Sequence, residues 1–338
     1  MNQGRKLQKQ TQQSRTVDLF AGVGGSSLGA MAAGADLVAA VDVWALAART
    51  YQENFPRVKC LQIRCEDIDL VSLKHELGGI DLVIASPECT SHTCAKGSAP
   101  RSEESKETAL QVTRFARTFL PRWIVVENVV HMRRWQRYES WINELKSLGY
   151  NVSEQVLNSA DFGVPQARRR LFIICDKEVI PPTIAPAVLR RRPASAIVDK
   201  NGSYPFSPLE RPGRAEPTIQ RAKRALNALG GGAEFLIVYY GSDAAGGWQR
   251  LDVPLRTITT LDRFAYVRPN GSGYEMRMLQ VPELKMAMGF PKTYKLSFGT
   301  RREKLKLLGN AVSPPVMKAI IHELLCPPLN RKREYAKA

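Results

Sequence analysis

Cys89 ends the stretch Asp81-Leu82-Val83-Ile84-Ala85-Ser86-Pro87-Glu88-Cys89, an apolar run closed by a proline-stiffened turn. A turn of that kind exposes a thiol, and a thiolate is a nucleophile. Thr90 to Glu107 then hold Gly97, Pro100, serines and charges, and read as a mobile loop able to close over a substrate. Cys94 lies in that loop as a rival nucleophile. Val125-Val126-Glu127-Asn128-Val129 puts a carboxylate at the end of another apolar run. In a parallel sheet such ends converge on one edge, which lets Cys89 and Glu127 face one pocket. Gln166-Ala167-Arg168-Arg169-Arg170 leads into the run Leu171–Cys175, with Arg168 and Arg170 on one side and Arg169 on the other. Each feature has a plainer use. A strand-end Glu often caps a helix, an arginine run is usually a solvated face, and Cys60, Cys65, Cys175 and Cys326 read as inert filler.

A second group of residues suits a nucleoside. Val17-Asp18-Leu19-Phe20-Ala21-Gly22-Val23-Gly24-Gly25 leaves the first apolar run. Gly22, Gly24 and Gly25 let the backbone turn sharply and let a ligand approach. A helix starting near Ser26 would aim free N–H groups at that ligand. Asp42 and Val43 follow the next run, with Asp42 17 residues past Gly25, a spacing that suits a carboxylate on ribose hydroxyls. Glu66-Asp67-Ile68 supplies a further acid, Asp67, for an adenine edge. The glycine pattern departs from G-x-G-x-x-G, which favours a nucleoside without phosphates, such as S-adenosylmethionine, over NAD.

Short apolar runs must position these groups. Thr16–Phe20, Leu37–Val41, Leu82–Ala85, Trp123–Val126, Val152–Leu157 and Leu171–Cys175 each read as a strand. Between them, Arg137–Leu148 places Tyr138, Trp141, Ile142, Leu145 and Leu148 on one helical face. This alternation implies a doubly wound α/β sheet with helices on both faces. After Cys175 the rhythm breaks. Residues 180–217 are rich in Pro and Arg, including Arg190-Arg191-Arg192-Pro193, and glycine clusters follow. Helical patterning is expected to return only near Arg301–Leu308 and Val316–Leu325. The expected organisation is a disordered basic tail over 1–15, a catalytic and cofactor-binding domain over 16–178, an irregular domain over 179–300, and a segment over 301–338 that returns to the first domain.

The chain has 338 residues, 44% of them hydrophobic, so it can bury a core. Its net charge of +17 is uneven: zero over residues 1–100, +3 over 101–150, +5 over 151–260 and +9 over 261–338. A neutral first part and a basic remainder suggest an enzymatic half beside a polyanion-binding surface. No uninterrupted apolar stretch reaches membrane-spanning length, and the basic N-terminus lacks the apolar core of a secretory signal. The six cysteines form no CxxC pair and no zinc-type cluster, which fits reduced thiols, a cytoplasmic setting and no metal.

The ordered set of motifs resembles the cytosine-5 DNA methyltransferases of bacterial and phage type, from about Thr16 to Leu325. Asp18–Gly25 resembles that family's first cofactor motif, and Asp42 and Asp67-Ile68 its second and third. Pro87-Glu88-Cys89 resembles the nucleophile motif, Glu127-Asn128-Val129 the Glu-Asn-Val motif, and Gln166, Arg168 and Arg170 the Gln-x-Arg-x-Arg motif. Arg256–Thr259 and Met288-Gly289-Phe290-Pro291 resemble later segments. Gly309-Asn310-Ala311-Val312-Ser313-Pro314-Pro315-Val316 resembles the last motif, which packs beside the first and completes the cofactor pocket. The resemblance implies a Rossmann-like S-adenosylmethionine-dependent fold and a target-recognition domain near 180–300. It also implies duplex DNA as substrate, a flipped cytosine, a monomer and a possible partner restriction endonuclease. Catalytic roles would fall to Cys89, Glu127, Arg168 and Arg170. Arg168 would hold the cytosine carbonyl oxygen or the loop, and Arg170 would orient Glu127. Cofactor contacts would come from Asp18, Phe20, Gly22, Gly24, Gly25, Asp42, Val43, Asp67, Ile68, Pro87, Asn310 and Val312. One departure is Glu88, where the family usually has proline, since an inward carboxylate would raise the thiol's pKa. Two other readings share the scaffold: an RNA cytosine methyltransferase, and a DNA-binding protein that kept the pocket and lost turnover. The Cys-Phe-Thr signature usual in the tRNA-methylating branch is not found.

Overall fold

Alternate residues of the short apolar runs feed two cores, one on each face of a single sheet. Leu82 and Ile84 enter one, Val83 and Ala85 the other, as the two-residue period of a strand requires. The computed structural model describes residues 14–87, 108–241, 246–271 and 273–326. The expected basic tail is outside this set up to residue 13, as are Glu88, Cys89, Cys94 and all of the loop expected over Thr90–Glu107.

The first lobe opens with β1 (Arg15–Leu19), α1 (Gly25–Ala32), β2 (Asp36–Val41), α2 (Ala45–Asn54) and β3 (Lys59–Leu61). It continues with α3 (Leu70–Leu77), β4 (Leu82–Ala85), α4 (Leu110–Phe119), β5 (Trp123–Asn128), α5 (Tyr138–Ser147), β6 (Asn151–Asn158) and β7 (Arg169–Asp176). The seven strands run in the order β3-β2-β1-β4-β5-β7-β6. Pairing is parallel from β3 to β5, while β7 is antiparallel to both β5 and β6. The order of strands reverses between β1 and β4, where a doubly wound sheet opens a crevice at its carboxyl edge. The α/β reading therefore holds. β3 was not read from the sequence, because its three residues, Lys59-Cys60-Leu61, are too short and mixed to show alternation.

Residues 179–300 differ from the irregular domain expected. They hold β8 (Ser207–Pro208), α6 (Glu216–Leu229), β9 (Phe235–Val238), β10 (Trp248–Arg250), β11 (Phe264–Asn270) and β12 (Gly273–Met278). These strands form a five-stranded antiparallel sheet in the order β10-β9-β11-β12-β8. α6 escaped notice because its buried face is made of Thr218, Ala222 and Ala225, small residues among Arg and Lys. Its core partners are Phe235, Ile237, Ala265, Val267 and Met276.

The return to the first lobe also comes earlier than residue 301. From Leu279 onward the chain packs against the first lobe, through α7 (Val281–Ala287), Phe290 and Tyr294. The Tyr294 hydroxyl donates to the Val23 carbonyl, and the Lys295 N–H donates to Asn54 Oδ1 at 2.9 Å. α8 (Arg301–Asn310) and α9 (Pro314–Leu325) complete the chain, and α9 packs on α1. Among the described residues no helix is long and apolar enough to cross a membrane, and no group of three or more His, Cys, Asp and Glu could hold a metal ion.

Candidate active site

A cavity of about 410 Å³ opens at the carboxyl edge of the first sheet, within the size range of small-molecule sites of ~300–1,000 Å³. Its lining includes Phe20, Gly22, Asp42, Val43, Trp44 and Glu66 at one end, and Pro87, Glu127, Arg168 and Arg170 at the other. Asn310 and Lys306 of α8 form a further wall.

Asp42 is fixed from both sides at the end of β2. Its Oδ2 accepts from the Gly22 N–H at 2.8 Å and its Oδ1 from the Trp44 N–H at 2.8 Å. A carboxylate held in this way can also accept from a hydroxyl. Val43 projects beside it, 62% exposed. Asp67 and Ile68 do not line the cavity. Asp67 is exposed and Ile68 is buried in the core, because Cys65–Asp67 forms a tight 3-10 turn that presents Cys65 and Glu66 inward. The carboxylate at this edge is therefore Glu66. Cys65 cannot rival Cys89 as nucleophile, since burial pushes its thiol up to about 12.

Asp18, Gly24, Gly25 and Val312 are not among the residues that line the cavity. Asp18 is fully buried and accepts from the Ser26 and Ser27 hydroxyls at 2.5 and 2.6 Å, both on Oδ2. Oδ1 has no partner. Burial pushes the Asp18 carboxyl up to about 7 against the pull of those two donors. The folded state then holds the proton more tightly than the unfolded chain. That contribution to stability is complete below pH 3.8 and is lost as pH rises through about 7. Asp18→Asn should flatten the pH dependence of thermal unfolding across this window. An unchanged slope would show that Asp18 ionises freely.

Gly25 marks where the last motif meets the first. A Cβ there would lie 2.1 Å from the Val312 carbonyl oxygen, so only glycine permits this approach. Gly25→Ala should cost about 1–3 kcal/mol in denaturant unfolding, as overpacking against fixed backbone does. Unfolding at the wild-type midpoint would contradict the close approach.

At the other end, Glu127 is buried at the tip of β5, and its Oε1 pairs with Arg170 Nε at 3.1 Å. Burial pushes Glu127 above the ordinary carboxylate range, and Arg170 and Arg168 pull it back in part. Arg168 lines the cavity, but its guanidinium is held by the backbone. It donates to the carbonyls of Ile258 at 3.1 Å, Gly309 at 2.8 Å and Ala311 at 3.2 Å. It thus ties β7 to the last motif. Arg169 points outward, as the alternation requires.

Residues 14–202 and 215–326 match the family model for the C-5 cytosine-specific DNA methylases. The chain belongs to that family. It is 36% identical over 163 residues to a Type II methyltransferase, M.HgiDI, of Herpetosiphon aurantiacus, covering 47% of this chain and 51% of that protein. It is 28% identical over 338 residues to M.AplI of Arthrospira platensis, also named a Type II methyltransferase, covering 95% of this chain and 88% of that protein. The chain thus spans about half the length of the Herpetosiphon relative, and 39% of M.DdeI of Desulfomicrobium norvegicum. Among solved structures, the S. pombe Dnmt2 methyltransferase shares the fold with a TM-score of 0.67 at 18% identity, covering 94% of this chain and 100% of that one.

The cavity of this C-5 methylase chain fits S-adenosylmethionine in its donor set. Gly22 has open space where a Cβ would stand, and Asp42 offers a fixed carboxylate beside the rings of Phe20 and Trp44. Trp44, Glu66 and Lys306 were missed in the sequence, as was Asn128. The Asn128 amide donates to the Pro87 carbonyl at 3.2 Å and ties the Glu127 strand to the chain that leads to Cys89. Its place inside Glu-Asn-Val was the available signal. Trp44, directly after Asp42-Val43, offered another.

Proposed function

We propose that this chain transfers a methyl group from S-adenosylmethionine to carbon 5 of cytosine in duplex DNA. One observation carries the reading: Asp42, fixed for a ribose, and Glu127, a buried acid, line one cavity. When bound, S-adenosylmethionine supplies an electrophilic methyl group on a sulfonium.

The residues of this chain then divide the work. Asp42 and Glu66 anchor the nucleoside end. Cys89 follows Pro87, which lines the cavity, by two residues, a reach of at most ~7 Å of extended chain. Its thiolate adds to cytosine carbon 6, which forms the S–C6 bond and makes carbon 5 nucleophilic. Protonated Glu127 gives its proton to ring N3 as negative charge develops there, and Arg170 fixes the carboxyl in place. Carbon 5 would then take the methyl carbon as that carbon's bond to the sulfonium sulfur breaks, which leaves a neutral thioether, and would lose its own proton to water. The S–C6 bond then breaks, which restores aromaticity and the thiolate, and N3 returns its proton to Glu127. Attack on carbon 6 requires the base to leave the stack.

The second lobe carries much of the net +5 over residues 151–260 and serves as the target-recognition domain. Its cations meet phosphates, while a few side chains read base edges. We infer a monomer in a prokaryotic or phage-infected cytoplasm, with a cognate restriction endonuclease as partner because the relatives it matches are named Type II methyltransferases. Incubation with tritiated donor should label 5-methylcytosine in diverse genomic duplex DNA. A folded preparation that labels none of it, or labels tRNA instead, refutes the proposal.

A further inference from the structure

Leu189 is the most exposed large hydrophobic residue described, at 110% of its reference area. It stands between Val188 and Arg190-Arg191-Arg192, the arginine run that the cavity does not use. The turn is held at both feet by one residue. The Asp161 carbonyl accepts from the N–H groups of Ala187 at 2.9 Å and Val188 at 3.2 Å, and the Asp161 carboxylate takes Arg191 Nε at 2.7 Å. Ala194 N–H then donates to the Val253 carbonyl at 2.8 Å and closes the turn against the second lobe. Leu189 and Arg190 form its tip. Arg190 and Arg192 are both exposed, and among the described residues only Arg191 of the three has an acidic partner.

Position gives the tip a partner. β6 runs parallel to β5, since each pairs antiparallel to β7. Asp161 follows the end of β6, so it lies at the same sheet edge as Glu127. A fixed apolar tip flanked by two uncommitted guanidiniums complements a surface with anionic and apolar parts side by side. The sugar–phosphate wall of a nucleic acid has that composition.

We propose that the Leu189–Arg192 turn is a separate duplex-DNA contact, with Arg190 and Arg192 on phosphates and Leu189 against the adjoining sugars. This rests on the duplex-DNA reading above. Asp161 aims the contact by holding Arg191, and the contact adds affinity that is independent of sequence.

The test is titration of a labelled mixed-sequence duplex into the full chain over a range of salt. Each phosphate contact contributes a slope of about −0.9 in log affinity against log salt. Arg190→Gln with Arg192→Gln should make the slope shallower by about 1.8. Leu189→Ala should keep the wild-type slope and weaken binding about fivefold. Cofactor affinity, read by calorimetry, should be unchanged in both variants, which shows that the fold is intact. Wild-type slope in the double variant, or wild-type affinity in Leu189→Ala, overturns the contact while leaving the enzyme reading untouched. A wild-type protein that binds no duplex overturns the enzyme reading itself.

Discussion

Cys89→Ser is expected to lower turnover by on the order of 10³-fold or more, while cofactor affinity stays at the wild-type value. The hydroxyl has nearly the shape of the thiol but is a far weaker nucleophile at neutral pH. Without addition at carbon 6, carbon 5 never becomes electron-rich, and methyl transfer stops at its first step. Of the four described thiols, Cys326 ends α9 and does not line the cavity, and the other three are buried or half-buried. Burial pushes Cys60 up to about 11 and Cys65 up to about 12, and Cys175 lies fully buried in the sheet. Single-turnover methylation by the purified variant, with calorimetry of cofactor binding, separates the two effects. Wild-type turnover in Cys89→Ser would move the nucleophile to another residue, with Cys94 next in sequence.

Glu127→Gln is expected to cost about 10²–10⁴-fold in kcat, with a small change in KM. The amide keeps the shape of the carboxyl and can donate a hydrogen bond, but it cannot transfer a proton to N3. The pH profile gives a second readout. Burial holds Glu127 above the ordinary carboxylate range, so its acid form persists to higher pH than that of an exposed glutamate. Wild-type kcat should fall as pH rises through that raised value, and the thiolate requirement should cut activity at low pH, giving a bell. Glu127→Gln should lose the alkaline limb and keep the acid one. An alkaline limb that survives in the variant would assign the proton donor elsewhere. Loss of activity through unfolding alone would appear as weakened cofactor binding.

The first lobe was legible in the sequence because its strands are short apolar runs separated by amphipathic helices. Thr16–Phe20, Leu82–Ala85 and Trp123–Val126 each match a strand to within two residues. The second lobe was not, because its strands lie among glycine and proline clusters, and α6 buries alanines that carry little hydrophobic signal. At the cavity, Asp42, Glu127 and Arg170 could be placed because each follows or begins a strand, where position along the chain settles position in space. Asp67 shows the limit of that reasoning. A 3-10 turn rotates the chain by a third of a turn per residue, and this one presents Glu66 to the cavity. Arg168 shows another. Three carbonyls from elements 90 to 143 residues away occupy its guanidinium, and no local pattern announces them.

Covalent trapping tests the central claim most directly. The wild-type protein is incubated with S-adenosylmethionine and a duplex carrying 5-fluorocytosine at its methylated position. Fluorine cannot leave as the proton does, so elimination fails and the S–C6 bond persists. The expected result is a denaturant-stable protein–DNA complex whose proteolysis leaves the methylated, fluorinated nucleotide on the peptide that contains Cys89. A preparation that methylates ordinary cytosine yet forms no such complex, or that carries the adduct on a peptide lacking Cys89, would contradict it.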